Sequence, residues 1–159
     1  MSRAMPSRAG QISERVTWDP DEGADLRRRR AGAWVDRVLD RSAWLPPSER
    51  TLVESVFRDG RTAVEIARLS NADARRVRRR IRRAVDRAMS PRLAFVMTSR
   101  AAWSPTRRRI ADLLVIEGLS MRGASDRLGV SYHTVRRHKD AIDALFAEAS
   151  ARSPRRGVA

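Results

Sequence analysis

Residues 132–137 read Tyr-His-Thr-Val-Arg-Arg, and this short run carries the side chains best equipped for recognition chemistry. A guanidinium is a planar fork of donors that can grip guanine through O6 and N7. Tyr132 and His133 each offer a ring with a polar tip, suited to a thymine methyl, a base edge or a phosphate. If a helix here buries Val135, the positions three and two before it and one and two after it point outward. These are Tyr132, His133, Arg136 and Arg137, the expected base contacts. Thr134 suits a phosphate contact or a local bond. Phosphate chemistry also fits Arg107 and Arg108, Ser120 and Arg122 at a helix start, and Lys139. A separate arginine run lies between Arg75 and Arg83, where Arg75, Arg78, Arg79 and Arg82 are expected on phosphates. Charge on so many sides of one helix fits sequence-independent neutralisation better than base reading.

Other chemistries are poorly served. With no cysteine, disulfides, thiolate metal sites and cysteine nucleophiles are excluded. The chain has 2 histidines, and no carboxylate cluster accompanies His138, so packing suits it better than metal binding. The acidic residues are scattered, and no serine or tyrosine has an evident base, so neither an enzyme nor a cofactor is expected. The 159 residues carry a net charge of +15, which points to a polyanionic partner. Lys139 is the sole lysine; codon bias can favour arginine over lysine but does not unbalance the sign of the charge. Aromatics make up 5%, too few for rows of stacking platforms on a single strand. No apolar run approaches the ~20 residues of a membrane span, and no apolar segment follows the first arginines as in a secretory signal. A cytoplasmic, nucleoid-associated protein is therefore expected.

The elements that must position these residues all read as helices. Residues 1–30 are polar and read as a disordered basic arm, residues 150–159 as a frayed tail. Trp34, Val35, Val38 and Leu39 repeat at helical spacing. Pro46-Pro47 breaks that helix and Ser48 is placed to cap the next, with Leu52, Val53, Val56 and Phe57 inward. Thr62 and Glu65 make a capping box for a short helix with Ile66, Ala67 and Leu69 inward. Asp73 caps a longer helix buried along Val77, Ile81, Ala84, Val85 and Ala88. Residues 91–103 read either as a short helix or as an extended linker. Ser104-Pro105 opens a helix with Ile110, Leu113 and Leu114 inward, Ser120 caps a short one, and Ser131 caps the last. On the last helix Val135, His138, Ile142, Leu145 and Phe146 face inward.

Sliding residues 50–85 onto 108–143 brings the two halves into register at one constant offset. Leu52 falls on Ile110, Val56 on Leu114, Gly60 on Gly118, Thr62 on Ser120, Ile66 on Ala124 and Val77 on Val135. Each half reads as a support helix, a glycine, a capped short helix, a turn and a capped long helix, which is a helix-turn-helix with its support. The expected fold is all-α: two tandem three-helix units, residues 31–90 and 104–149, with 91–103 between them and flexible basic termini. The second unit is the more complete. Ala124 is small where two helices cross, Gly129 suits a left-handed turn, and Val130 can staple onto the long helix. The first has Ser70-Asn71-Ala72 at its turn, with Ala74 at an outward position beside Arg75.

Gly118-Leu119-Ser120, Ala124, Leu128-Gly129-Val130-Ser131 and Thr134-Val135 together resemble region 4 of bacterial sigma-70-family factors, which reads the −35 promoter element. Gly60, Thr62, Glu65-Ile66-Ala67 and Val77 repeat the resemblance more loosely. The same residues are similar to the effector domain of LuxR-type response regulators, with His138 fitting that pattern. The resemblance implies base contacts from Tyr132, His133, Arg136 and Arg137. It departs at Gly123, where the family usually has glutamate, and no stretch matches the aromatic-rich region that melts the −10 element. It therefore implies a sigma-like regulator rather than a whole sigma factor.

The expected function is sequence-specific binding of double-stranded DNA in transcription regulation, the helix after Ser131 reading the major groove. The alternative is an interaction protein that holds RNA polymerase or another regulator without reading bases. RNA is a weaker candidate, since helices do not read the deep groove of A-form duplexes well. Monomer and weak dimer are both compatible with the sequence.

Overall fold

The computed structural model describes residues 32–152; the expected basic arm and all but the first residues of the expected tail lie outside them. Eight α-helices and no strand occur among the described residues, so the fold is all-α. None of these helices is long and apolar enough to cross a membrane. Helix α1 spans Gly32–Ser42 and α2 spans Pro47–Phe57. Helix α2 starts one residue before the expected cap. Pro46 is its N-cap and Pro47 occupies the first turn, where a fixed φ and a missing N–H cost nothing. Ser48 consequently lies inside the helix.

Helix α3 spans Ala63–Leu69 and begins at the full capping box: the Glu65 amide donates to Thr62 Oγ1, and the Thr62 amide donates to Glu65 Oε2 at 2.7 Å. Asp73 caps α4, Ala74–Ala88, by accepting from the Arg76 amide at 2.8 Å. Ser90 then does more than end α4. It accepts from the Leu93 amide and, with Pro91 in the first turn, starts α5 over Pro91–Ser99. A 3-10 turn, Arg100–Ala102, follows. Residues 91–103 are thus no extended linker: Leu93 and Val96 are fully buried in the core. Helix α6, Pro105–Ala111, widens into a π-helical turn over Asp112–Ile116. Helix α7 is Met121–Leu128 and α8 is Tyr132–Arg152, which carries the last helix into the expected tail.

Several backbone hydrogen bonds correspond at the offset seen in the sequence. The Arg61 amide donates to Ser55 O, and Leu119 donates to Leu113 O, both at 2.9 Å. Ala72 donates to Ala67 O as Val130 does to Ser125 O. Gly60 and Gly118 share a left-handed φ of 67° and 68°. Asn71, with φ 48°, takes the same left-handed region as Gly129, with φ 64°. Asparagine tolerates that region better than other side chains, so the first turn closes without glycine.

Two side chains depart from their expected places. Leu69 is 72% exposed rather than inward. Ala63, Ile66 and Ala67 hold the buried stripe at helical spacing, and two positions beyond Ala67 the helix has turned most of the way round. Ala74 is half-buried against the core rather than outward.

The core does not divide at the repeat boundary. One cluster runs from Val38 through Val53, Ile66, Ile81 and Leu93 to Val96, and also takes in Ala111, Val115 and Ile142 from the second half. A smaller cluster joins Ile110, Leu113, Ala124 and Val135. The π turn feeds alternate positions of one helix to the two clusters, and Leu114 packs on both. Polar links cross the same boundary. Arg87 donates to Glu49 Oε2 at 2.6 Å and to Ile116 O at 3.2 Å. Asp143 on α8 pairs with Arg92 on α5, and Phe95 packs on Phe146 with ring centroids 5.5 Å apart.

Candidate nucleic-acid interface

Helices α7 and α8 carry the first group of candidate residues. Ser120 starts α7 by accepting from the Gly123 amide at 3.0 Å. Ala124 is fully buried where α7 meets α8, and Gly129 ends α7 in the left-handed conformation. Val130 packs on the second cluster, while Ser125 Oγ donates to Val130 O at 2.6 Å. Ser131 Oγ accepts from the Thr134 amide at 3.1 Å and starts α8. With Val135 at 0% exposure, the rotation of α8 is fixed. Tyr132, His133, Arg136 and Arg137 are all exposed on its first turns, as their spacing predicts. Arg136 reaches Asp140 at 3.9 Å with both side chains largely in solvent, a pairing too weak to hold the guanidinium back.

The expected phosphate contacts are less uniform. Arg122 is exposed in the first turn of α7. Arg107 is half-buried on α6. Arg108 is committed elsewhere: its guanidinium donates to Arg100 O, Ala101 O and Trp103 O, closing the 3-10 turn. Lys139 is half-buried and paired with Asp143 at 2.7 Å, so its charge serves the joint between α8 and α5. Thr134 Oγ1 shares a hydrogen bond of 2.9 Å with Ser131 Oγ, the local bond rather than a free hydroxyl. Ser120 is exposed, and the cap takes one lone pair of its hydroxyl, a geometry compatible with a phosphate contact through the O–H. His138 is half-buried, and its pKa is held below the ordinary 6.5, first by burial and then by the positive charges of Arg137 and Arg107. Both causes favour the neutral imidazole.

In the first half, Arg75, Arg79 and Arg82 are exposed on α4, together with Arg76, Arg80 and Arg83. Arg78 is half-buried and stands apart from this strip. Asp86 is the one acidic residue of α4. Arg87, continuous with the strip in sequence, is drawn into the joint. Sequence reasoning missed that role because its partners, Glu49 and Ile116, lie far away along the chain. No group of three or more histidine, aspartate and glutamate side chains is placed to hold a metal among the described residues.

Comparison with known proteins gives no match to a family model, a curated protein or a solved structure. The site must be read from its own geometry.

Proposed function

We propose that the protein binds double-stranded DNA sequence-specifically and regulates transcription, with α7 and α8 acting as a sigma region 4-like helix-turn-helix. In this reading α8 lies in the major groove. Tyr132, His133, Arg136 and Arg137 face base edges there, and Arg122 and Arg107 flank them at the phosphates. The exposed arginines of α4 add phosphate neutralisation that is independent of sequence. The site of action would be the cytoplasm, on the nucleoid.

The observation that carries the reading is the rotation of α8. A fully buried Val135, a buried Ala124 crossing and a left-handed Gly129 leave two exposed arginines, a tyrosine and a histidine at the helix start. That is the face a recognition helix offers to a groove. The net charge of +15 supplies the long-range attraction. Large exposed apolar side chains, which would favour a protein partner, are few among the described residues. Leu69 and Tyr132 are the large exposed hydrophobics among the described residues, and Tyr132 belongs to the reading face.

Selection from random duplexes tests this directly. The intact protein is expected to recover a consensus. Arg136→Ala should relax the preference at one base pair by ~1–3 kcal/mol. Arg79→Ala should instead weaken all duplexes alike and lower the salt slope by about one. Recovery of no consensus would reject base reading.

A further inference from the structure

The exposed side of α8 is not purely basic. At ~100° of turn per residue, Tyr132 and Arg137 bound an arc of about 140° that also holds Arg136 and His133, and Asp140 falls near its middle. Val135 and Ile142, both fully buried, lie on the far side of the helix. Asp140 stands 3.9 Å from Arg136, with its side chain 64% exposed. It is the one carboxylate in the first three turns of α8. The next, Asp143, is half-buried and bound to Arg92 and Lys139.

An approach of α8 that puts Arg136 and Arg137 against the floor of a groove carries this carboxylate in with them. An ionised carboxylate only accepts hydrogen bonds. Guanine and thymine present acceptors to the major groove, and adenine sets the acceptor N7 beside its N6 donor. Cytosine presents the donor N4 with no acceptor of its own. Of the four bases, cytosine is therefore the one whose edge complements Asp140 without repulsion.

We propose that Asp140 is a specificity-determining residue: its carboxylate accepts a hydrogen bond from a cytosine N4 and rejects guanine and thymine at that position by repulsion between acceptors. The contact rests on the DNA reading of α8. Four residues of helix put Asp140 about 6 Å beyond Arg136. That exceeds the ~3.4 Å step between base pairs, so the cytosine belongs to a pair neighbouring the one that Arg136 reads. A carboxylate that only steadied the Arg136 guanidinium would leave its mark on the Arg136 base pair instead.

The test is selection from random duplexes with the full chain and three variants. Asp140→Asn keeps the shape and gains a donor, and Asp140→Ala removes the polar group. Glu148→Gln removes an exposed carboxylate further along the same helix and controls for charge alone. Asp140 belongs to neither hydrophobic cluster, so its variants should melt with the intact chain. The intact protein should favour cytosine about tenfold over guanine or thymine beside the pair that Arg136→Ala relaxes. Both Asp140 variants should lose that preference and keep the one at the Arg136 pair, while Glu148→Gln should keep both. A consensus without that cytosine, or one that neither Asp140 variant changes, overturns the contact and leaves the DNA reading standing. Relaxation confined to the Arg136 pair overturns it in favour of a merely steadying carboxylate, and equal relaxation in Glu148→Gln overturns it in favour of charge alone. Recovery of no consensus by the intact protein rejects the DNA reading and the contact together.

Discussion

At residue 118 the backbone has a φ of +68°, and a Cβ built there would stand 2.3 Å from Arg87 Nη2. A side chain at this position therefore does two kinds of damage. It strains the backbone, and it pushes Arg87 off Glu49 and Ile116 O, leaving half-buried groups unpaired. Gly129 has a φ of +64° and open space where its Cβ would go. The two glycines make a controlled pair. Gly129→Ala should cost ~1 kcal/mol, the left-handed penalty alone. Gly118→Ala should cost about 2–3 kcal/mol, and urea denaturation of both variants reads the difference. Equal losses would show that Arg87 is not constrained at the joint. His138 supplies a pH prediction at the same scale. Its folded pKa lies below the unfolded 6.5, so the unfolded chain binds more protons between those two values. Stability is fully present above pH 6.5 and falls as pH drops through 6.5 toward the folded pKa. His138→Gln should flatten that portion of a melting-temperature profile measured between pH 7.5 and 5.5.

The elements owe their ends to short polar signals. Thr62, Asp73, Ser90, Ser120 and Ser131 each accept a backbone amide at a helix start. Four of these caps follow from residue type and spacing, and the fifth shows why position matters: Ser90 stands where a helix ends and equally where the next begins. Ser48 fails as a cap because the proline before it already starts the helix. The wide turn at Asp112–Ile116 has no comparable signature. It exists because one helix must serve two clusters, with Ala111 and Val115 facing one and Ile110 and Leu113 the other. Val115→Ala, which empties a buried position of the larger cluster from the second half, should cost ~2 kcal/mol by thermal unfolding. It should leave the exposed face of α8 intact, so on the proposed DNA reading a changed base preference in this variant would contradict the separation of that face from the core.

At the scale of the whole molecule the two repeats behave as one body. Ile142 of α8 is fully buried in the cluster built by the first half, and Phe146 rests on Phe95. A fragment of residues 100–152 would expose Ala111, Val115, Ile142 and Phe146 together. Its remaining core, Ile110, Leu113, Ala124 and Val135 with their neighbours, is small for independent stability. The fragment should lose most of its helical circular dichroism at 25 °C, while the intact chain unfolds in a single transition by circular dichroism and tryptophan fluorescence alike. A folded fragment would show that the shared cluster is dispensable.

The sequence by itself determined most of the helices, four of the five side-chain caps, the constant offset between the halves and the rotation of α8. All of these depend on contacts within about one helical turn, or on an apolar period that a linear reading exposes. The exposure of Tyr132, His133, Arg136 and Arg137 follows from Val135 being buried, so it too was legible. The tertiary structure decided which basic side chains remain free. Arg87 is spent on Glu49, 38 residues away, and Arg92 of α5 on Asp143 of α8, although in residue type both match the arginines left in solvent. It also turned residues 91–103 into a core helix, merged the two repeats through Ala111, Val115 and Ile142, and left Leu69 uncovered. The physical reason is common to these outcomes. A partner distant in sequence is set by how helices pack, and neither charge nor periodicity along one segment records what another segment brings to it.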